Sequence, residues 1–235
     1  MTKIRKSGII AKYAYKRISI RVASFLAIKT RITPNQVTAL SLILSLVAAP
    51  FLVSDRYFHQ LSGGVILAAA FTLDYVDGDL ARLKNLKSKE GEFFDVVSDR
   101  ISIIVSILSL SIGLFGNSKN FLDLLLGVMV ISLFYISDVA DALLEKIYGG
   151  TLQKTYSFEI GLVNRLLRRL GLEINVYYFG EDFLYSLIII GCVLNQVRLM
   201  LLLFTFSTSF LLTSCLYKVL KKRVQAIFVR KQLEY

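Results

Sequence analysis

Four carboxylates define the chemistry open to this sequence. Asp74 and Asp77 lie in D-Y-V-D-G-D-L-A-R, and Asp95 and Asp99 follow in G-E-F-F-D-V-V-S-D after a gap of eight residues. Asp74 and Asp77 are three residues apart and Asp95 and Asp99 are four apart, so on helices each pair shares one face. The first pair closes the apolar run L-S-G-G-V-I-L-A-A-A-F-T-L, and the second opens the next apolar run. Ionisable groups at membrane depth are costly and mark function. Two helices, each offering two carboxylates, make an oxygen-rich cage suited to hard divalent cations such as Mg²⁺ or Mn²⁺. Without cations, four such charges in a low-dielectric site would repel one another strongly.

The elements that must carry these groups are read from the hydropathy. Of 235 residues, 55% are hydrophobic and the mean hydropathy is +0.61, above that of an ordinary soluble domain. Six apolar runs lie at roughly 36–54, 61–81, 93–116, 121–144, 180–196 and 198–219, against about 20 residues needed for a bilayer span. The fifth run is weakened by Glu181 and Asp182 at its start. Residues 8–29 place Ala11, Ala14, Tyr15, Ile18, Val22, Phe25 and Leu26 on one helical stripe, with Lys12 and Lys16 on the far side. That is the pattern of a helix lying in the membrane interface. Thr33-Pro34 then marks a helix start, Thr as N-cap and Pro at the first helical position. The predicted fold is an all-α membrane protein with six transmembrane helices and an N-terminal interfacial amphipathic helix. Its expected divisions are 1–35 juxtamembrane, 36–220 membrane domain and 221–235 basic tail.

Charge orients this arrangement. All but Arg56, Lys119 and Arg198 of the 28 basic residues fall before the first run, in the motif loop and its flank, in the fourth-to-fifth gap or in the tail. The positive-inside rule then predicts a multi-pass cell-membrane protein with both termini and the motif cytoplasmic. The +11 net charge is accounted for by one membrane face and does not call for nucleic acid. His59 stands alone in an outer loop and reads as a solvated residue with no second histidine to build a metal site, and Cys192 and Cys215 lie in apolar runs and imply no disulfide. Residues 145–179 are the one long connection, expected to pack near the cytoplasmic mouth.

The segment matches D-x2-D-G-x2-A-R-x8-G-x3-D-x3-D at Asp74, Asp77, Gly78, Ala81, Arg82, Gly91, Asp95 and Asp99. In this it resembles the CDP-alcohol phosphotransferases, integral membrane enzymes that make phospholipids and related phosphodiesters. The leader I-T-P-N-Q-V-T and the stretch K-S-K-E-G-E-F-F-D look closest to the archaeal-type inositol-phosphate branch, including di-inositol phosphodiester synthases. Several members of that branch carry a nucleotidyltransferase domain ahead of the membrane part. None is evident here, so any activated substrate is expected to be made elsewhere.

The resemblance implies transfer of a phospho-alcohol from a CDP-alcohol donor to an acceptor alcohol, with release of CMP. By that resemblance Asp74, Asp77 and Asp95 are metal ligands, and Asp99 is both general base and partial ligand, around two Mg²⁺ or Mn²⁺ ions. Asp74, Gly78, Ala81, Arg82 and Gly91 are the nucleotide-binding candidates. The small residues would let a nucleotide approach the backbone, and Arg82 can fork onto a diphosphate. Lys146, Lys154, Arg165 and Arg168 are the acceptor-binding candidates, on the membrane face a phosphorylated acceptor needs. Asp138 and Asp141 either line that cavity or pair with Arg100. The family's members are homodimers, and Ser102, Ser106, Ser109 and Gly113 offer a small-residue stripe for a partner subunit or for a neighbouring helix of the same chain. A cation transporter or channel using the same carboxylates is the alternative. It leaves the Gly78, Ala81, Arg82 and Gly91 pattern unexplained.

Overall fold

The computed structural model describes residues 15–148 and 181–233. Among them are seven helices and no strand: α1 (Lys16–Lys29), α2 (Pro34–Val53), α3 (Tyr57–Leu83), α4 (Lys89–Ser118), α5 (Leu122–Tyr148), α6 (Glu181–Leu194) and α7 (Val197–Leu233). The connection over 149–180, and residues 8–14 of the amphipathic stretch, lie outside the described residues.

Local chemistry sets the boundaries. Pro34 opens α2, and the Thr33 backbone N–H donates to Gln36 Oε1 at 2.9 Å, half of a capping box. At the end of α3, Asn85 adopts a left-handed φ of 55°, and the Leu86 N–H returns to the Ala81 carbonyl at 3.0 Å. A left-handed residue just past the last turn closes a helix in this way. Ser88 caps α4 by accepting from the Gly91 N–H at 3.0 Å, and Glu90 and Glu92 complement the positive end of that helix. The motif loop is therefore only the short turn between two well-capped ends.

Helices α2, α4 and α5 contain stretches long and apolar enough to cross a bilayer, over Pro34–Val53, Lys89–Ser118 and Leu122–Ala140. At 27 residues α3 is also long enough, about 40 Å by its rise, but it carries Asp74, Asp77 and Asp79. The apolar part of α7 is Val197–Phe210, and α6 has 14 residues. One core joins the helices: Leu52, Leu67, Phe71, Ile103, Ile107, Val130, Leu184, Ile188 and Phe204 are nearly or wholly without exposure. Leu40, Ile43 and Val47 of α2 and Val128, Met129 and Ile136 of α5 face outward.

The small-residue stripe of α4 packs within the chain. Ser106 is fully buried and Ser102 and Ser109 nearly so. A Cβ on Gly113 would come within 2.7 Å of the Val53 carbonyl oxygen and 2.9 Å of that of Leu52. Of the two uses predicted for the stripe, the structure takes the one inside the chain, because α2 ends on top of it.

Helix α1 divides its apolar stripe between protein and surroundings. Ala23 is fully buried, with Val22 and Leu26 packed on the cluster of Val37, Val76 and Leu80, while Ile18 and Phe25 remain exposed. Lys16, predicted to face away, instead reaches Asp79 of α3. The reason is tertiary: α3 supplies a buried carboxylate where solvent was expected.

Candidate active site

Helices α3 and α4 bring together Asp74, Asp95 and Asp99. Each offers a carboxylate oxygen, and these oxygens lie within 4.8 Å of one another. Asp74 is 5% exposed, and Asp95 and Asp99 are half-buried, so the cluster opens to one side. The donor set is oxygen throughout, the chemistry that Mg²⁺ and Mn²⁺ prefer and soft metals do not. Three converging carboxylates also need a compensating cation to stay ionised together. One turn from Asp95, the buried Ser98 hydroxyl has no hydrogen-bond partner among the described residues. The residues present therefore fit a divalent cation, which Asp74, Asp95 and Asp99 would hold.

Asp77, one turn after Asp74 on α3, is not one of that trio. It is 4% exposed, and its carboxylate accepts from the Thr38 hydroxyl of α2. In sequence Thr38 stands out only as the end of the I-T-P-N-Q-V-T leader. Its role needed the fold, because 39 residues separate it from Asp77.

Asp79, absent from the motif pattern, is a fifth acid of this region. It is 6% exposed and gathers Lys16, Arg82 at 2.6 Å and the Ser19 hydroxyl at 2.7 Å. Two residues along a helix is about 200°, so Asp79 turns away from the face of Asp77 toward α1. Arg82 is thus aligned by a carboxylate of its own helix while its side chain stays 48% exposed. Lys84 completes the seam, its ammonium donating to the Thr30 and Ile32 carbonyls at 2.9 and 2.8 Å.

The small motif residues differ in their surroundings. A Cβ on Gly91 would meet Asn35 Oδ1 and Ser88 Oγ at 3.0 Å, so absence of a side chain lets α4 start against α2. On Gly78 the nearest atom would be an Arg82 guanidinium nitrogen at 3.7 Å, leaving open space over the helix backbone. Ala81, one turn further, is half-buried.

Helix α6 closes the other flank. Glu181 accepts from Arg100 at 2.9 Å, and Asp138 of α5 also pairs with Arg100, one of the two roles expected for it. The guanidinium carbon also stands 5.4 Å from the Phe134 ring centroid. The acids that weakened the fifth apolar run are therefore matched: Asp182 accepts from the Tyr75 hydroxyl. Ahead of α1, Tyr15 sets its ring 4.9 Å from Phe71. Burial pushes the Tyr15 phenol up from its ordinary value, and a hydrogen bond with Ser186 pulls it back. Of the acceptor candidates, Lys154, Arg165 and Arg168 lie outside the described residues, as do the side chains of Lys146 and Asp141.

Comparison with known proteins bears on the same helices. A family model described as CDP-alcohol phosphatidyltransferase matches residues 31–211. A bifunctional IPC transferase and DIPP synthase of Aquifex aeolicus is 36% identical over 93 residues, 40% of this chain and 20% of that protein. An archaetidylinositol phosphate synthase of Pyrococcus horikoshii is 33% identical over 114 residues, 48% of this chain and 54% of that protein. The chain thus spans about half the length of one relative and a fifth of the other. With the family match running through both helices that carry the carboxylates, the chain belongs to the CDP-alcohol phosphatidyltransferase family.

Proposed function

We propose that this protein transfers a phospho-alcohol from a CDP-alcohol to an acceptor hydroxyl, releasing CMP, in a reaction that requires Mg²⁺ or Mn²⁺. The observation that carries this reading is the convergence of Asp74, Asp95 and Asp99 oxygens within 4.8 Å at the motif end of α3 and α4. A divalent ion bound there would stabilise negative charge on the phosphoryl oxygens and the departing CMP. In this reading Asp77 is a further ligand, fixed by Thr38, and two ions fill the cage.

The remaining work falls to the chain itself. Asp99 takes the proton from the acceptor hydroxyl as that oxygen attacks the phosphorus bearing the alcohol, and CMP carries off the bonding pair. Open space over Gly78, with the small side chain of Ala81 one turn on, lets the nucleotide lie close to the α3 backbone. Arg82, aligned by Asp79, contributes donors to the diphosphate. Gly91 allows α4 to begin close enough to complete the pocket. Lys146, Lys154, Arg165 and Arg168 are assigned to a phosphorylated acceptor.

Helices α2 to α7 would cross the bilayer as six spans with α1 at the cytoplasmic interface, both termini and the site being cytoplasmic. The divisions 1–35, 36–220 and 221–235 and a homodimeric assembly belong to the same reading. The similarity to an archaetidylinositol phosphate synthase and to an IPC transferase and DIPP synthase favours an inositol-phosphate substrate. The test offers purified protein CDP-inositol or a CDP-lipid with inositol phosphate, glycerol phosphate, serine or inositol, and identifies products by mass. Metal-dependent CMP release with an inositol phosphate is the expected result. Cation flux without CMP release would replace the reading with the transporter.

A further inference from the structure

The inner end of α6 touches both cage helices next to their carboxylates. Asp182 accepts from Tyr75, the residue after Asp74, and Glu181 accepts from Arg100, the residue after Asp99. One turn on from these two acids lies Tyr185, 5% exposed. Its ring packs on Phe71, centroids 4.4 Å apart, one turn before Asp74 on α3. Its hydroxyl lies beside Ser102, one turn after Asp99 on α4, in the field of the Asp99, Glu181 and Asp74 carboxylates. One side chain therefore bridges the two helices whose spacing sets the cage.

Packing alone does not account for the hydroxyl. A phenylalanine would fill the same volume without burying a polar atom, which is costly unless bonded. We propose that Tyr185 is a positioning residue for the transfer reaction: by joining Phe71 on α3 to Ser102 on α4, it holds the Asp74 and Asp99 carboxylates at the separation that cation binding needs. The inference rests on the transferase reading for its kinetic part and on the cage alone for its binding part. Groups that orient metal ligands without touching the metal commonly change metal affinity or activity about 10–100-fold when altered.

The experiment compares full-length wild type with Tyr185→Phe, which keeps the ring and removes the hydroxyl. Mn²⁺ binding is read by the fall in free-ion paramagnetic resonance, thermal unfolding in parallel, and CMP release as kcat and KM. The expected result is Mn²⁺ affinity weakened about tenfold and kcat lowered about tenfold or more, with KM for the CDP-alcohol and Tm unchanged. Wild-type Mn²⁺ affinity in the variant overturns the proposal, and so does a loss of affinity matched by an equivalent loss of thermal stability. Ser102→Ala removes the same polar contact from α4 and must reproduce the effect; it decides the matter if Tyr185→Phe does not fold. Absence of CMP release from wild type would sink the transferase reading, while the Mn²⁺ comparison would still judge the role of Tyr185.

Discussion

Asp79→Asn separates a tether from a cage. Asp79 sits two residues past Asp77 yet holds Lys16, Ser19 and Arg82, and its side chain is 7% exposed. Hydrogen bonds to charged groups contribute about 1.5–3 kcal/mol each when buried, but exposed ion pairs contribute about 0.2–1. Here the cations are 32% and 48% exposed and can turn to water, and asparagine keeps one acceptor oxygen for Ser19. The loss should thus be about 1–2 kcal/mol, a small part of it from Ser19. Because the lost contacts join α1 to α3, the change should appear as local opening. Amide exchange over Lys16–Lys29, measured in nanodiscs, should accelerate about five- to thirtyfold. Arg82 loses its aligning partner, so KM for the CDP-alcohol should rise about fivefold, the equivalent of about 1 kcal/mol. Turnover at saturation should survive, because the cage consists of other acids. Abolished turnover with α1 exchange unchanged would refute this reasoning and move Asp79 into the metal site.

Other perturbations test the remaining parts. Asp74→Asn, Asp77→Asn and Asp95→Asn should each abolish metal-dependent CMP release while the protein stays membrane-inserted; near-normal turnover in any two would remove the metal role. Reporter tags at both termini and at residue 87 should read as cytoplasmic, and tags near 58 and 118 as far-side, with a far-side signal at 87 breaking the six-span arrangement. Gly113→Ala should cost about 1–3 kcal/mol in detergent unfolding, because the new methyl meets the backbone oxygens of Leu52 and Val53, and unchanged stability would contradict that close approach. In a homodimer with one complete site per chain, mixing inactive Asp99→Asn subunits with wild type should leave activity proportional to the wild-type fraction. A steeper fall would show sites shared across the interface.

The motif acids, the Thr33-Pro34 start and the apolar runs were legible because each is written in neighbouring residues or a fixed period. Asp79 was not, since an acid two places beyond Asp77 reads as the solvated side of a helix until Lys16, 63 residues away, is seen against it. The same holds for Glu181 and Asp182, which counted against the fifth span in sequence. Arg100 and Tyr75 match them, and those pairings depend on how α6 docks. The small-residue stripe of α4 carried a period without a partner. Only the packing of α2 over Gly113 showed which surface it serves.

The seam between α1 and α3 has a bearing on the order of assembly. Its clamps pair Lys16 with Asp79 and the Thr30 and Ile32 carbonyls with Lys84, so the N-terminal helix has no finished seat until residue 84 has been made. In the proposed topology, the nascent N-terminal helix would rest on the lipid surface through Ile18, Phe25 and its basic residues while α2 enters the bilayer. It would lock down once the end of α3 has left the ribosome. The first cage carboxylate, Asp74, is on that same helix, so docking of the leader and delivery of the proposed metal-binding face would become one event in biogenesis.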